Sequence, residues 1–290
     1  MKPSFTLLLC LLASLSHAQL TPRVKPTVPI LKDKQAEMYT SFRNRANKDE
    51  VWFFEHAGYG GKKYILGRGQ YTLKELGMDA NDFFSSALIP TGLMVVAFED
   101  DNIAGTYYTL NSDNNNKRYN TDFTKVEIYR GKDAGGRMLS GIKDINDKIS
   151  SIIIFDMLDD EVTLYEDCNF GGQSLSLTPC PMSSADEARC FSSSPVSRQW
   201  GWLNLADLDF NDKLSSIKIK GQIAAVRIHT GKNLEISPGS KMLSLTTSHP
   251  CLKNKPYTTD NALFSGNSDW NDRASSLSII MKPGTVTIVN

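Results

Sequence analysis

The chain has no excess of either charge: 32 Lys and Arg stand against 32 Asp and Glu over 290 residues. With no net field to draw in a polyanion, the composition argues against a nucleic-acid or anionic-membrane partner. Catalytic constellations are missing too. No Gly-x-Ser-x-Gly occurs, and His56, His229 and His249 are isolated in sequence from any nucleophile they could serve. The run Gly58 to Lys63 has the glycines and lysines of a phosphate loop, but not the Gly five residues before Gly-Lys or the Ser or Thr after it. The acidic pairs Asp100-Asp101 and Asp159-Asp160 fall at expected strand ends, where solvated turns collect acids without chemistry. The expectation is a protein that is not an enzyme.

Long apolar runs are equally scarce. One, Leu7 to Leu15, follows Lys2 and leads to Ser16-His17-Ala18 before Gln19. It is shorter than the roughly 20 apolar residues a bilayer span requires. Its basic start and small-x-small end describe a secretory signal over residues 1–18, so the mature chain is expected to be secreted. Residues 19–49 form a basic arm with seven Lys and Arg against three acids and with Pro22, Pro26 and Pro29, in which Gln35 to Asn47 can form a short helix. Between the leader's Cys10 and Cys168 there is no cysteine; Cys168, Cys180, Cys190 and Cys251 follow. An even number in an exported chain implies two disulfides with three possible connectivities, and the lack of any Cys-x-x-Cys, with His249 the one nearby imidazole, argues against a zinc site.

What the chain does have is a repeat. Asn-Asp-x-x-Ser-Ser occurs at Asn81 to Ser86, Asn146 to Ser151, Asn211 to Ser216 and Asn271 to Ser276, with starts 65, 65 and 60 residues apart. One copy would be a capped turn. Four copies at near-constant spacing imply tandem units, each of which concentrates amide, carboxylate and hydroxyl oxygens of the kind Ca²⁺ gathers in groups of six to eight. Each copy runs into a mostly apolar, β-branched strand such as Ile152-Ile153-Ile154.

A second pattern precedes three of the loops. Phe54-Glu55 with Tyr59 and Gly61, Phe98-Glu99 with Ile103 and Gly105, and Tyr165-Glu166 with Phe170 and Gly172 share one spacing, which predicts a tight hairpin with its Gly at positive φ. The fourth unit, Ile228 to Glu235, keeps only its strand character, and His229 stands where the Glu is expected. The aromatic-to-Asn distance is 27 residues in the first unit and 48, 46 and 43 in the others, so units two to four carry insertions. Within the second, Asn120 to Lys125 is a degenerate loop, and a partial fifth unit over 129–151 is the alternative parse.

The paired hairpin and loop signatures resemble those of the βγ-crystallin superfamily, in its microbial and invertebrate calcium-binding branch, over residues 50 to 285. The resemblance implies an all-β fold of two Greek-key β-sandwich domains with two motifs each, here 50–157 and 158–290. It also implies calcium sites shared between the two motifs of a domain. Carried over by position, the hydroxyl ligands are Ser85, Ser150, Ser215 and Ser275, and the loop carbonyls are those of Phe83, Lys148, Lys213 and Arg273. Side-chain oxygens come from Asp82, Asp147, Asp212 and Asp272, and hairpin carbonyls from Glu55, Glu99 and Glu166. The second Ser of each loop has no ligand role, so Ser151→Ala is expected to spare calcium affinity. Two other functions fit such a chain: an inhibitor of secreted metalloproteases that uses the insertions, or an extracellular carbohydrate- or cell-surface-binding or toxin-like module in which Trp200 and Trp202 stack on a sugar.

Overall fold

The computed structural model describes residues 49–77, 80–110, 120–135, 137–156, 158–177, 192–193, 200–232, 240–259 and 265–289. The signal segment, the basic arm, Cys180 and Cys190 lie outside the described residues, as do the side chains of Trp200 and Trp202. Among the described residues no helix is long and apolar enough to cross a membrane.

The fold is all-β. The first half contains β1 (Val51–His56), β2 (Gly60–Leu66), β3 (Gly69–Tyr71), the one-turn helix α1 (Leu73–Leu76), β4 (Ser86–Leu88), β5 (Leu93–Asp100), β6 (Ala104–Leu110), β7 (Val126–Lys132), β8 (Met138–Lys143) and β9 (Ser151–Asp156). The second half contains β10 (Glu161–Asp167), β11 (Gly171–Leu177), β12 (Ser192–Ser193), β13 (Trp200–Asn204), β14 (Ser216–Lys220), β15 (Ile223–His229), β16 (Lys241–Leu245), β17 (Lys255–Thr259), β18 (Ser265–Ser268), β19 (Ser276–Met281) and β20 (Val286–Val289).

The two halves repeat one topology. The larger sheets run β3-β9-β5-β6-β7-β8 and β12-β13-β19-β15-β16-β17-β18; the smaller ones run β20-β2-β1-β4 and β11-β10-β14. In each half a strand that follows the first hairpin pair, β3 or β13, leaves its own unit and pairs with the last strand of the next, β9 or β19. Residues 120–123 return the exchange beside β4, where Ala87 N donates to Asn120 O at 2.9 Å and Phe123 N to Ser85 O at 2.8 Å; residues 249–252 do the same beside β14, where Leu252 N donates to Ser215 O at 2.9 Å. The extra residues of units two and four form the hairpins β7–β8 and β17–β18, each added to the outer edge of a large sheet.

Strand composition explains the layering. In β5 the run Leu93 to Phe98 is apolar throughout and fully buried, as a strand covered on both faces must be. Val95 and Ala97 enter the first-half core with Phe53, Tyr64, Phe84 and Phe123. Met94, Val96 and Phe98 turn the other way into a cluster continuous with the second-half core residues Leu164, Ile217, Leu252 and Trp270. The halves therefore share buried apolar surface.

The last strand crosses between them. β20, within residues 158–290, leaves the second half and pairs antiparallel with β2 of the first, from Lys63↔Val289 to Leu66↔Val286. At the crossing the Tyr71 hydroxyl lies 2.6 Å from Gly67 O and 3.0 Å from Thr285 O, and a Cβ on Gly284 would overlap that hydroxyl. Beside it, Arg68 of the first half meets Asp159 at 3.1 Å and the fully buried Asp160 at 3.7 Å.

Candidate metal centre

The hairpins set the frame. Each described one passes through consecutive left-handed residues, Gly58-Tyr59, Asn102-Ile103 or Asn169-Phe170, and then a Gly at positive φ, Gly61, Gly105 or Gly172. Gly61 is needed for space as well, since a Cβ there would lie 2.8 Å from Glu55 Oε2. The aromatic pair packs across the turn: Phe54 on Tyr59 at 5.5 Å and Tyr165 on Phe170 at 5.6 Å. Glutamate side chains close the bend, with Glu55 Oε2 accepting Lys62 N at 3.1 Å, while Glu99 Oε1 accepts the Tyr108 hydroxyl at 2.6 Å. An ion pair of 3.3 Å joins Glu166 to Lys213.

Each loop is tied to its hairpin at two points. The N–H of the first Ser donates to the hairpin aromatic: Ser85 to Phe54 O, Ser150 to Phe98 O and Ser215 to Tyr165 O, all at 2.9 Å. The second Ser is the clamp. Ser86 Oγ donates to His56 O at 2.6 Å and accepts Tyr59 N at 3.1 Å; Ser151 Oγ donates to Asp100 O at 2.7 Å and accepts Ile103 N at 3.0 Å. Ser216 Oγ makes the same pair, to Asp167 O at 2.5 Å and from Phe170 N at 3.1 Å. One fully buried hydroxyl thus satisfies both a carbonyl and a strained turn N–H, so the second Ser is not a spare position.

This ruler corrects the fourth unit. Ser275 N donates to His229 O at 2.9 Å, Ser276 Oγ donates to Gly231 O at 2.6 Å, and His229 pairs with Ser276 as Phe54 does with Ser86. His229 therefore occupies the aromatic position and Thr230, not His229, the Glu position. A one-residue shift would have sent Ile228, fully buried, to the wrong face of the sheet.

The loops of each half lock together in pairs. Asp82 N donates to Ile149 O and Asp147 N to Phe84 O, both at 3.3 Å; Asp212 N donates to Ala274 O at 3.0 Å and Asp272 N to Leu214 O at 3.2 Å. All four Asp residues lie in the left-handed region, with φ of 51° to 55°, a conformation Asn and Asp tolerate far better than β-branched residues. The pairing brings hydroxyls and acids from opposite loops together: Ser85 Oγ lies 3.5 Å from Asp147 Oδ1 and Ser215 Oγ 3.2 Å from Asp272 Oδ1. Ser150 Oγ donates to Asn81 Oδ1 at 2.8 Å and also reaches Asp82. Burial first, and then the like charges of Asp147 and Glu99, push the Asp82 carboxyl above its usual range.

The third-position residues send their side chains elsewhere. Lys148 Nζ caps Asp144 O at 2.8 Å, Lys213 pairs with Glu166, and Phe83 packs on Tyr64 at 5.6 Å. Arg273 is exposed.

The first Asn of each loop offers an oxygen that the residues carried over by position leave out. Among the described residues, Asn211 Oδ1 and Asn271 Oδ1 are buried acceptors with no hydrogen-bond partner, and a buried acceptor without a donor calls for water or an ion. The signal was in the sequence, since Asn opens all four copies. Among the described residues no three His, Cys, Asp or Glu side chains converge. The donors are amide, hydroxyl, carbonyl and single-carboxylate oxygens, a hard set that fits Ca²⁺ and suits neither zinc nor a softer ion.

No family profile and no curated protein matches the chain. Among solved structures, a double mutant of a βγ-crystallin domain from Clostridium beijerinckii is 31% identical, with a TM-score of 0.25, over 37% of this chain and 96% of that one. The chain belongs to the βγ-crystallin superfamily. A nickel complex of a double mutant of clostrillin is 29% identical over 37% of this chain and 98% of that one, TM-score 0.25. The solution structure of protein S complexed with calcium is 18% identical over 80% of this chain and 99% of that one, TM-score 0.26. Membership rests on identity across a whole domain and on the paired hairpin and loop geometry, not on the superpositions.

Proposed function

We propose that this βγ-crystallin is an exported, non-enzymatic calcium-binding protein of two domains, residues 50–157 and 158–290, each holding its cations between two interlocked loops. The observation that carries this reading is the pair of buried amide oxygens of Asn211 and Asn271, without a hydrogen-bond partner among the described residues, at equivalent places in facing loops. A cation takes such an oxygen together with a nearby hydroxyl and backbone carbonyls. In the third unit these are Ser215 Oγ, Asp272, and the carbonyls of Lys213 and Glu166. The corresponding sets are Ser85, Phe83, Glu55 and Asp147 in the first unit, Ser150, Lys148, Glu99 and Asp82 with Asn81 in the second, and Ser275, Arg273, Thr230 and Asp212 in the fourth. Few formal charges per site imply affinities in the ~10⁻⁴ to 10⁻³ M range of extracellular modules.

Calorimetric titration of the mature, chelator-stripped protein should show two to four Ca²⁺ bound. Absence of heat up to ~10 mM would refute the reading. Asp147→Gly isolates the ligand role, because Gly keeps the left-handed turn while removing the carboxylate; it should lower the Ca²⁺ count or affinity with little change in fold.

A further inference from the structure

The first Asn of the four loops is held in two different ways. Asn81, Asn146 and Asn211 turn Nδ2 onto the carboxylate of the next residue, at 3.1 Å to Asp82, 2.9 Å to Asp147 and 2.5 Å to Asp212. Asn271 instead donates Nδ2 to Cys168 Sγ at 3.5 Å, across 103 residues of sequence. That sulfur belongs to the disulfide Cys168–Cys251. Around it the third hairpin is tied to residues 249–252, with Asn169 N donating to Pro250 O at 2.5 Å and Leu252 N to Ser215 O at 2.9 Å. Cys168 is two residues after Glu166, and Ser215 faces Asp272, so the bridge lies at the edge of the third unit's site. A primary amide is rigid and planar: holding its nitrogen fixes its oxygen, and Asn271 Oδ1, like Asn211 Oδ1, is a buried acceptor without a hydrogen-bond partner among the described residues.

We propose that the Cys168–Cys251 disulfide is a positioning group for the cation site of the third unit, its sulfur holding the Asn271 amide so that Oδ1 is presented to the metal. Calcium uptake at this site then depends on oxidation, while the first half, which has no cysteine among residues 50–157, is indifferent to it. A dithiol opens the bridge by exchange: the S–S bond breaks, S–H bonds form on Cys168 and Cys251, and the reductant closes to its own disulfide. The inference rests on the calcium reading given above.

The test is a double-mutant cycle on the full mature chain, read by calcium calorimetry. Outer partners of metal ligands are typically worth 10- to 100-fold in affinity, so Cys168→Ala/Cys251→Ala should weaken one site by about tenfold or more and leave the others unchanged. Asn271→Ala should weaken the same site. Combining the changes should add little, because the sulfur acts through Asn271; a merely structural brace would give additive losses and weaken both second-half sites. Should the cysteine variant fail to fold, the parent protein gives the answer by reciprocity. In a dithiothreitol redox buffer, saturating Ca²⁺ should raise the oxidised-to-reduced ratio of the Cys168 and Cys251 peptides, measured by alkylation and mass spectrometry, by that same factor. A parent that binds calcium but shows an unchanged ratio, or additive losses in the cycle, overturns this inference alone. A parent that binds none overturns the calcium reading itself.

Discussion

Ser151→Ala removes one oxygen and leaves two backbone groups exposed to the consequence. The side chain is fully buried, its hydroxyl donates to Asp100 O at 2.7 Å, and it accepts Ile103 N at 3.0 Å. Alanine fills nearly the same space, so no cavity opens, and water has no route to a site with 0% exposure. Each buried group that loses its partner costs about 1–3 kcal/mol. The N–H belongs to Ile103, a β-branched residue at φ 59° following Asn102, also at 59°, and such strain of about 1–3 kcal/mol persists only while its surroundings hold it. The expected loss is therefore about 3 kcal/mol in calcium-free buffer, read as the shift in urea midpoint at constant slope. Release of the hairpin also frees Glu99, whose carbonyl is proposed for the second unit's site, so calcium affinity there should fall as well. Ser244→Ala, at an exposed position on β16, serves as the control and should stay within about 0.5 kcal/mol. A Ser151→Ala loss below about 1 kcal/mol would show that the hydroxyl is not the clamp.

Other outcomes follow from the same geometry. Ser150→Arg should remove one Ca²⁺ from the calorimetric count, since it replaces a hydroxyl beside Asn81 and Asp82 with a cation; an unchanged count would refute the assignment of that loop. Gly284→Ala drives a methyl into the Tyr71 hydroxyl at the crossing and should cost about 1–3 kcal/mol, loosening β20 from β2; an unchanged thermal midpoint would refute the part this crossing plays in holding β20 to β2. Asp160 is fully buried, accepts Gln222 N at 2.6 Å and Asp156 N at 2.8 Å, and burial raises its carboxyl above the ordinary 3.8. The native state thus holds that proton more tightly than the unfolded chain, so its contribution is present below pH 3.8 and lost as pH rises through the raised value. Relative to the parent, Asp160→Asn should gain stability as pH increases over that window; urea midpoints between about pH 4 and 7 check the sign, and a flat or opposite trend refutes it.

Local chemistry made much of this protein legible in the sequence. Asn-Asp-x-x-Ser-Ser gathers amide, carboxylate and hydroxyl oxygens within six residues, and the Gly of the first three hairpins announces a positive φ. These are short-range constraints, written in residues that sit next to one another. Tertiary structure decided everything that depends on which loop meets which. Pairing loop one with two and three with four places Ser85 near Asp147 and Ser215 near Asp272, and no spacing rule states that. The fourth hairpin was misread by one residue because, without its aromatic and Glu, only pairing with Ser276 sets the register. The role of the second Ser was hidden because a hydroxyl's partners, Asp100 O and Ile103 N, lie 51 and 48 residues away. Neither Cys251 as the partner of Cys168 nor the return of β20 to the first half is written locally, since both depend on where distant backbone comes within reach. The buried oxygens of Asn211 and Asn271 are the clearest case: the sequence supplied the amides, and only the packing of one loop against its mate took their oxygens out of water.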